Sequence, residues 1–205
     1  MNWLKKLFLK EEKNEAVIYD DSFFQEGWFQ GWEVLKPILC ELLAVEPRWK
    51  SVLDFGCGPG VMIDYMSRRE YQYIGCDYSD EARQIYLERY GLNPEKYKQS
   101  LKECMADDFD VFLSFDVFEH LSDAEIRLLL IEIKDIPELF LNISRAKHIA
   151  GHINIKSDRK WIKFLEKEGY EYNKVKTGAI RQRYLELRPE ASDKWNENIF
   201  LFKKV

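Results

Sequence analysis

The stretch Val52 to Gly60, "VLDFGCGPG", constrains this chain more than any other. An apolar run ends in a loop with glycines at 56, 58 and 60, and "VMIDYMSRR" then carries apolar residues at helical spacing. Strand, glycine loop and helix in that order open a βαβ unit. Parallel strands need a crossover connection, so such a unit commits the chain to an α/β sheet.

The rest of the chain repeats that alternation. Strands are expected at Ser51–Phe55, Tyr71–Cys76, Tyr97–Ser100 (short), Asp110–Phe115, Glu138–Ile143, Tyr170–Val175 and Ile199–Val205. Helices are expected at 28–45, with Pro37 inside, and at Pro59–Arg69, Asp80–Tyr90, Ser122–Lys134 and Asp158–Glu168. Gly91 and Gly169 supply stop signals, and Ser122 with Glu125 reads as a capping box. The expected fold is therefore α/β: a Rossmann-like, doubly wound, mostly parallel seven-stranded sheet with helices on both faces. Residues 1–49 read as a helical lead-in that covers the ligand, and 50–205 as the core of a single domain. Ligands of such sheets sit at the carboxyl ends of the strands, near the switch point. The loops at 55–60, 77–80, 115–120 and 144–157 are the candidate sites.

The glycine loop excludes several ligands. A phosphate-binding P-loop follows its last glycine with Lys-Ser/Thr, whereas Gly60 precedes Val61 and Met62. A dinucleotide fingerprint is GxGxxG, and here the spacing is GxGxG. Pro59 removes an N–H that a pyrophosphate would use. Asp54, two residues before Gly56, repels phosphate and favours an ammonium or sulfonium. Asp77 lies 21 residues past Gly56, where a carboxylate holds a ribose diol. Those features describe a ligand with a ribose and a cationic portion.

"VLDFGCGPG", "YIGCDYS" and "DVFLSFDVFEHL", in this order and spacing, resemble class I S-adenosylmethionine-dependent methyltransferases, in the small-molecule branch with Glu-His after the fourth strand. The resemblance covers about residues 50–175 and implies S-adenosylmethionine as cofactor. It implies that Gly56, Gly58 and Gly60 form the loop that the methionine part approaches. Asp54 would fix the cofactor's amino group through the loop or a water, and Asp77 would take the ribose hydroxyls. Tyr78 would lie along the adenine. Phe115, Asp116 and Val117 would line the methionine end and the transferring methyl group. Tyr19 and Trp28, in a lead-in that folds over the cofactor, would touch the methionine carboxylate or the acceptor. The acid that reads the adenine amino group has no clear counterpart in "LKECMADDFD".

The resemblance also supplies catalytic candidates. Glu119 and His120 would contact the acceptor, and His152, in "GHINIKSDRKW", would face it from the loop after the fifth strand. Either histidine titrates near neutrality and suits general-base work; the alternative for His120 is a structural bond to backbone. Asn154 would hold its loop, Ser157 would cap the next helix, and Trp161 would enter the core. Arg181, Arg183 and Arg188 would bind an anionic acceptor or form a solvated helical face.

Composition narrows the function further. With 31 basic and 36 acidic residues the chain carries a net charge of −5, which gives no footprint for nucleic acid. The four cysteines, at 40, 57, 76 and 104, lack CxxC spacing and nearby histidines, and no metal site is expected in the chain. Free thiols fit a cytoplasmic, reducing setting. Cys57 and Cys76 read as fillers of the cofactor loops. The first ten residues, "MNWLKKLFLK", are amphipathic, and docking on the domain is preferred to membrane contact. The expected activity is direct methyl transfer to an oxygen or nitrogen of a small molecule, a sugar or a glycan or secondary-metabolite precursor being the model acceptor. RNA or protein methylation, and a non-catalytic cofactor-binding sensor or partner subunit, stay open as alternatives.

Overall fold

The computed structural model describes residues 26–91, 93–149, 151–190 and 195–205, with side chains from Gln30 onward. Tyr19 and the amphipathic first ten residues lie outside the described residues, as does the side chain of Trp28.

Seven strands form one sheet in the order β3-β2-β1-β4-β5-β7-β6. They are β1 (Ser51–Phe55), β2 (Gln72–Cys76), β3 (Tyr97–Lys98), β4 (Val111–Phe115), β5 (Glu138–Asn142), β6 (Tyr170–Tyr172) and β7 (Ile199–Lys204). β1 pairs in parallel with both β2 and β4, while β7 runs against β5 and β6. The chain winds outward from β1 to β3 and returns to place β4 on the other side of β1. The switch point therefore lies between the carboxyl ends of β1 and β4.

Helices cover both faces, and side-chain alternation assigns them. Leu53, Phe112, Leu139, Leu141, Phe200 and Phe202 face α4 (Leu101–Cys104), α5 (Asp123–Glu132) and α6 (Asp158–Lys167) in one buried cluster. Val52, Tyr73, Val111, Leu113, Phe140 and Leu201 face the other way, toward α1 (Glu26–Leu43), α2 (Val61–Ser67) and α7 (Lys174–Leu187). This period of two is what a sheet buried on both faces requires. Ile38, Leu39, Leu42 and Leu43 of α1 lie in the second cluster, so the carboxyl half of the lead-in helix is part of the core. Pro37 sits within α1 without ending it.

Most expected elements appear within a residue or two. α5 starts at the capping box, with both Ser122 and Glu125 bonds made. One expectation fails. The strand expected over Tyr170–Val175 stops at Tyr172, and Asn173 then caps α7 by accepting from the Lys176 N–H. The helix is hard to read in sequence because its buried stripe is only Thr177, Ile180 and Tyr184, with Gly178 inside it.

Candidate active site

The expected site residues that are described come together at one edge of the sheet, from the ends of β1, β2 and β4 and the loop after β5. The glycine loop leaves β1 with Gly56, Gly58 and Gly60 all at positive φ (78°, 51° and 65°). Its shape is fixed from β2 and β3. The Gly56 N–H donates to the Cys76 carbonyl at 2.8 Å, and the Tyr97 hydroxyl donates to the Gly58 carbonyl at 3.0 Å. A Cβ on Gly56 would stand 2.3 Å from Val117 Cγ2, so the loops after β1 and β4 touch at the switch point. Only glycine permits that approach in that backbone conformation.

Asp77 closes the loop from the end of β2. Its two carboxylate oxygens accept from the Gly58 and Ser79 N–H groups, each at 2.9 Å. The Tyr78 N–H also bonds this carboxylate, and with roughly two acceptor directions per oxygen about one remains for a neighbouring hydroxyl. Tyr78 follows, half-buried. Asp54 is buried beneath the loop and accepts from the Tyr73 hydroxyl at 2.8 Å. Tyr73 and Tyr97 are the positioning residues that sequence reasoning missed. Both sit in strands and look like ordinary core aromatics until the fold aims their hydroxyls.

On the β4 side, the Phe115 ring turns away into the core, edge-on to Phe140 at 5.0 Å and Trp195 at 5.4 Å. What it offers the cleft is backbone. Asp116 takes a left-handed conformation at φ 53°, rare for a residue other than glycine and often found at functional sites. Its N–H donates to the Asn142 carbonyl at 2.9 Å, and its side chain is open to solvent.

Glu119 corrects the sequence expectation. Its side chain is wholly buried, so it does not meet an acceptor directly. Instead it organises the loop after β5. Its Oε1 accepts from the Ser144 N–H at 2.9 Å, and its carbonyl accepts from the Ile153 and Asn154 N–H groups. Its Oε2 is buried with no hydrogen-bond partner among the described residues. Asn154 completes the loop by donating to the Leu121 carbonyl at 2.8 Å. Ser157 occupies the N-cap of α6 without a side-chain bond, and Trp161 is fully buried.

The two histidines meet edge to face, with ring centroids 4.6 Å apart. His120 Nδ1 lies 3.0 Å from the Gly151 carbonyl and His152 Nδ1 2.8 Å from the Ala146 carbonyl. Burial, reinforced by His152, pushes His120 down to about 4, and burial lowers His152 as well. Both are neutral at pH 7 and weak as bases. No sequence spacing announces it, yet ligand atoms of Glu119, His120 and His152 all lie within 4.8 Å of one another.

Carboxyl groups dominate the electrostatics. Burial raises Asp54 to about 7 against the pull of the Tyr73 hydroxyl, and it raises Asp77. Burial also raises Glu119 to about 8, with the Asp116 charge adding to it. Three acids held up in this way, with the exposed Asp116 beside them, describe a crevice short of positive charge among the described residues. Cys57 is held well above the ordinary thiol range by burial and by Asp54 and Asp77, which suits a filler. The arginines of α7 are engaged within the chain: Arg181 donates to the Ile199 carbonyl, Arg183 pairs with Glu41 and Arg188 bonds the Tyr184 hydroxyl. That favours the helical-face reading. A basic cavity of about 580 Å³, lined by Lys36, Arg68, Arg69 and Arg89 among others, lies between α1, α2 and α3 (Asp80–Arg89).

Among the described residues, no helix is long and apolar enough to cross a membrane. Comparison with known proteins agrees with the geometry. Residues 29–175 match a family described as a methyltransferase domain. The ubiquinone biosynthesis O-methyltransferase of Actinobacillus pleuropneumoniae serotype 5b (strain L20) is 28% identical over 127 residues, covering 56% of this chain and 53% of that protein. The chain spans about half the length of that relative, or less of others. The plantazolicin methyltransferase BpumL, solved with SAH and a pentazolic desmethylPZN analog, aligns with a TM-score of 0.59 at 15% identity, over 87% of this chain and 86% of that one. The SAM-bound amino pentose methyltransferase CalS10 of Micromonospora echinaspora gives 0.59 at 12% identity, over 95% and 100%. These two share the fold. With the family match across most of the sheet, the chain belongs to the methyltransferase-domain family, in the class I group that uses S-adenosylmethionine.

Proposed function

We propose that this chain transfers a methyl group from S-adenosylmethionine to an oxygen or nitrogen atom of a small molecule. The observation that carries the reading is the crevice between β1 and β4: a glycine loop for close backbone approach, Asp77 at the end of β2, and four carboxyls that pair with no lysine or arginine among the described residues. S-adenosylmethionine, when bound, supplies an activated methyl group on a positively charged sulfur. The residues present fit it. Asp77, held by three backbone N–H groups, keeps acceptor capacity for a ribose hydroxyl, and Tyr78 stands beside it for the adenine. Gly56 and Gly58 admit the methionine portion. Asp54 acts from beneath the loop on the amino group, and the Phe115 backbone, Asp116 and Val117 flank the methyl end.

Methyl transfer from a sulfonium is an in-line displacement, so alignment is the protein's main contribution. The loop at 144–157, pinned by Glu119 and Asn154, forms the acceptor side. An acceptor hydroxyl must lose its proton as the new bond forms. His120 and His152 stand nearest to take it, although burial leaves them poor bases. The O-methyltransferase relatives support an oxygen acceptor. The engaged arginines of α7 give no support to RNA methylation.

Calorimetry with S-adenosylmethionine, its demethylated product and ATP tests the first step. Binding of the first two no tighter than ATP would overturn the reading. A small-molecule screen with a labelled methyl donor then identifies the acceptor; label appearing only in RNA or protein would reject a small-molecule acceptor.

A further inference from the structure

Glu119, His120 and His152 are more than two weak bases beside a buried acid. Each histidine places Nδ1 against a backbone carbonyl, at 3.0 Å for His120 and 2.8 Å for His152. A carbonyl oxygen only accepts, so Nδ1 carries the proton and the lone pair is on Nε2. The His152 Nε2 lone pair then faces Glu119 Oε1 across 3.9 Å. A carboxyl group facing an imidazole lone pair at this distance is satisfied by a cation between them, a proton or a metal ion. The second carboxylate oxygen, Oε2, is buried with no hydrogen-bond partner among the described residues. A buried polar atom in that state needs a reason.

We infer that Glu119, His120 and His152 form a binding site for a divalent transition-metal ion on the acceptor side of the cleft. Ligand atoms around such an ion lie roughly 2.0–2.2 Å from it and hence about 3–4 Å apart. The 3.9 Å pair already fits, and the full set within 4.8 Å closes with small side-chain rotations. Metal-bound histidines usually donate their other N–H to a carbonyl or carboxylate, which fixes ring and tautomer. Both histidines do so here. Two imidazoles and one carboxylate suit zinc, iron(II) or cobalt(II) better than magnesium or calcium, which prefer all-oxygen shells. Three protein ligands leave positions open. An acceptor oxygen bound there would lose its proton more readily, which answers the weakness of the histidines as bases. That role rests on the methyl-transfer reading; metal binding itself does not.

The test uses the full chain, stripped with chelator and titrated with Co(II) and separately with Zn(II). The expected result is one ion per chain by calorimetry, a Co(II) visible spectrum, and two exchangeable, strongly shifted imidazole N–H resonances by NMR. His152→Asn and Glu119→Gln should weaken binding beyond the roughly 10–100-fold cost of altering a supporting partner. Glu119 is buried, and its variant could fail to fold. His120→Asn, at a half-buried ring, and the N–H resonances of the unmodified chain decide the matter without it. Absence of saturable Co(II) and Zn(II) binding, or binding unchanged in His120→Asn and His152→Asn, overturns the inference. S-adenosylmethionine calorimetry on the same samples separates the two readings. Cofactor bound without metal rejects this site alone, and metal bound without cofactor rejects the methyl-transfer reading alone.

Discussion

The two sides of the crevice are built differently. The β1–β2 side is a continuous strand, loop and helix, and its bonds run to the next strand: Gly56 to Cys76, Gly58 to Asp77. The β4–β5 side is gathered from residues some thirty positions apart, with Glu119 and His120 holding Ser144, Gly151, Ile153 and Asn154. The first side is stiff because backbone geometry leaves it no choice. The second is held by two backbone bonds to the Glu119 carbonyl and by a few side-chain bonds, one of them to that buried acid. The contrast implies that cofactor binding and acceptor chemistry can be damaged separately.

Gly56→Ala should have the largest effect, because it strikes a point where the loops of both sides touch. The new Cβ meets Val117 Cγ2 at 2.3 Å, at φ 78°. Strain of this kind costs about 1–3 kcal/mol, and cofactor binding should be lost by calorimetry. Adding Val117→Ala should recover the steric part only. Full recovery would mean that backbone conformation is not limiting.

Asp77→Ala comes next. Loss of a charge-assisted bond costs about 1.5–3 kcal/mol, so affinity for S-adenosylmethionine should fall roughly 10- to 150-fold. Unchanged affinity would refute the ribose assignment and, with it, the division of labour between the two sides. Glu119→Ala should do the reverse. It leaves the Ser144 N–H unpaired at a cost of about 1–3 kcal/mol in denaturant unfolding. Cofactor affinity should hold while turnover collapses. Equal loss of both would show that the two sides are one cooperative unit.

A smaller effect follows from Asp54. Its carboxyl stands at about 7 in the folded chain, above the ordinary value of roughly 4 in an unfolded one. The folded state therefore holds its proton more tightly. This contribution to stability is fully present below about pH 4 and is lost as pH rises through 7. In the ligand-free protein, wild type should lose more Tm than Asp54→Asn between pH 5 and pH 8.5. Identical slopes would mean that Asp54 is not held in its neutral form. The smallest effect belongs to Arg183→Ala, which removes an exposed pair with Glu41. Exposed pairs contribute little, and neither Tm nor turnover should change measurably.

The difference between the two sides also explains what could be read in advance. β1 is legible to the residue, and Asp77 and the glycines fall where their spacing places them, because a tight strand-to-helix turn writes its requirements locally. The Ser122 capping box is legible for the same reason. The α7 helix is hidden by its sparse stripe, and the strand before it is shorter than its residues suggest. Glu119 reads as an acceptor contact beside His120, whereas its complete burial is a property of the packed fold.

The sequence by itself determined the sheet, its alternating faces, the glycine loop and the place of Asp77 at the end of β2, since each follows from periodicity, backbone conformation or a fixed step along one βαβ unit. Only the tertiary structure decided that Tyr73 and Tyr97 brace the loop, that the Phe115 ring leaves the cleft, and that Glu119, His120 and His152 share one pocket. Those contacts depend on which strands lie side by side and how two distant loops fold together, and no local rule of spacing records that.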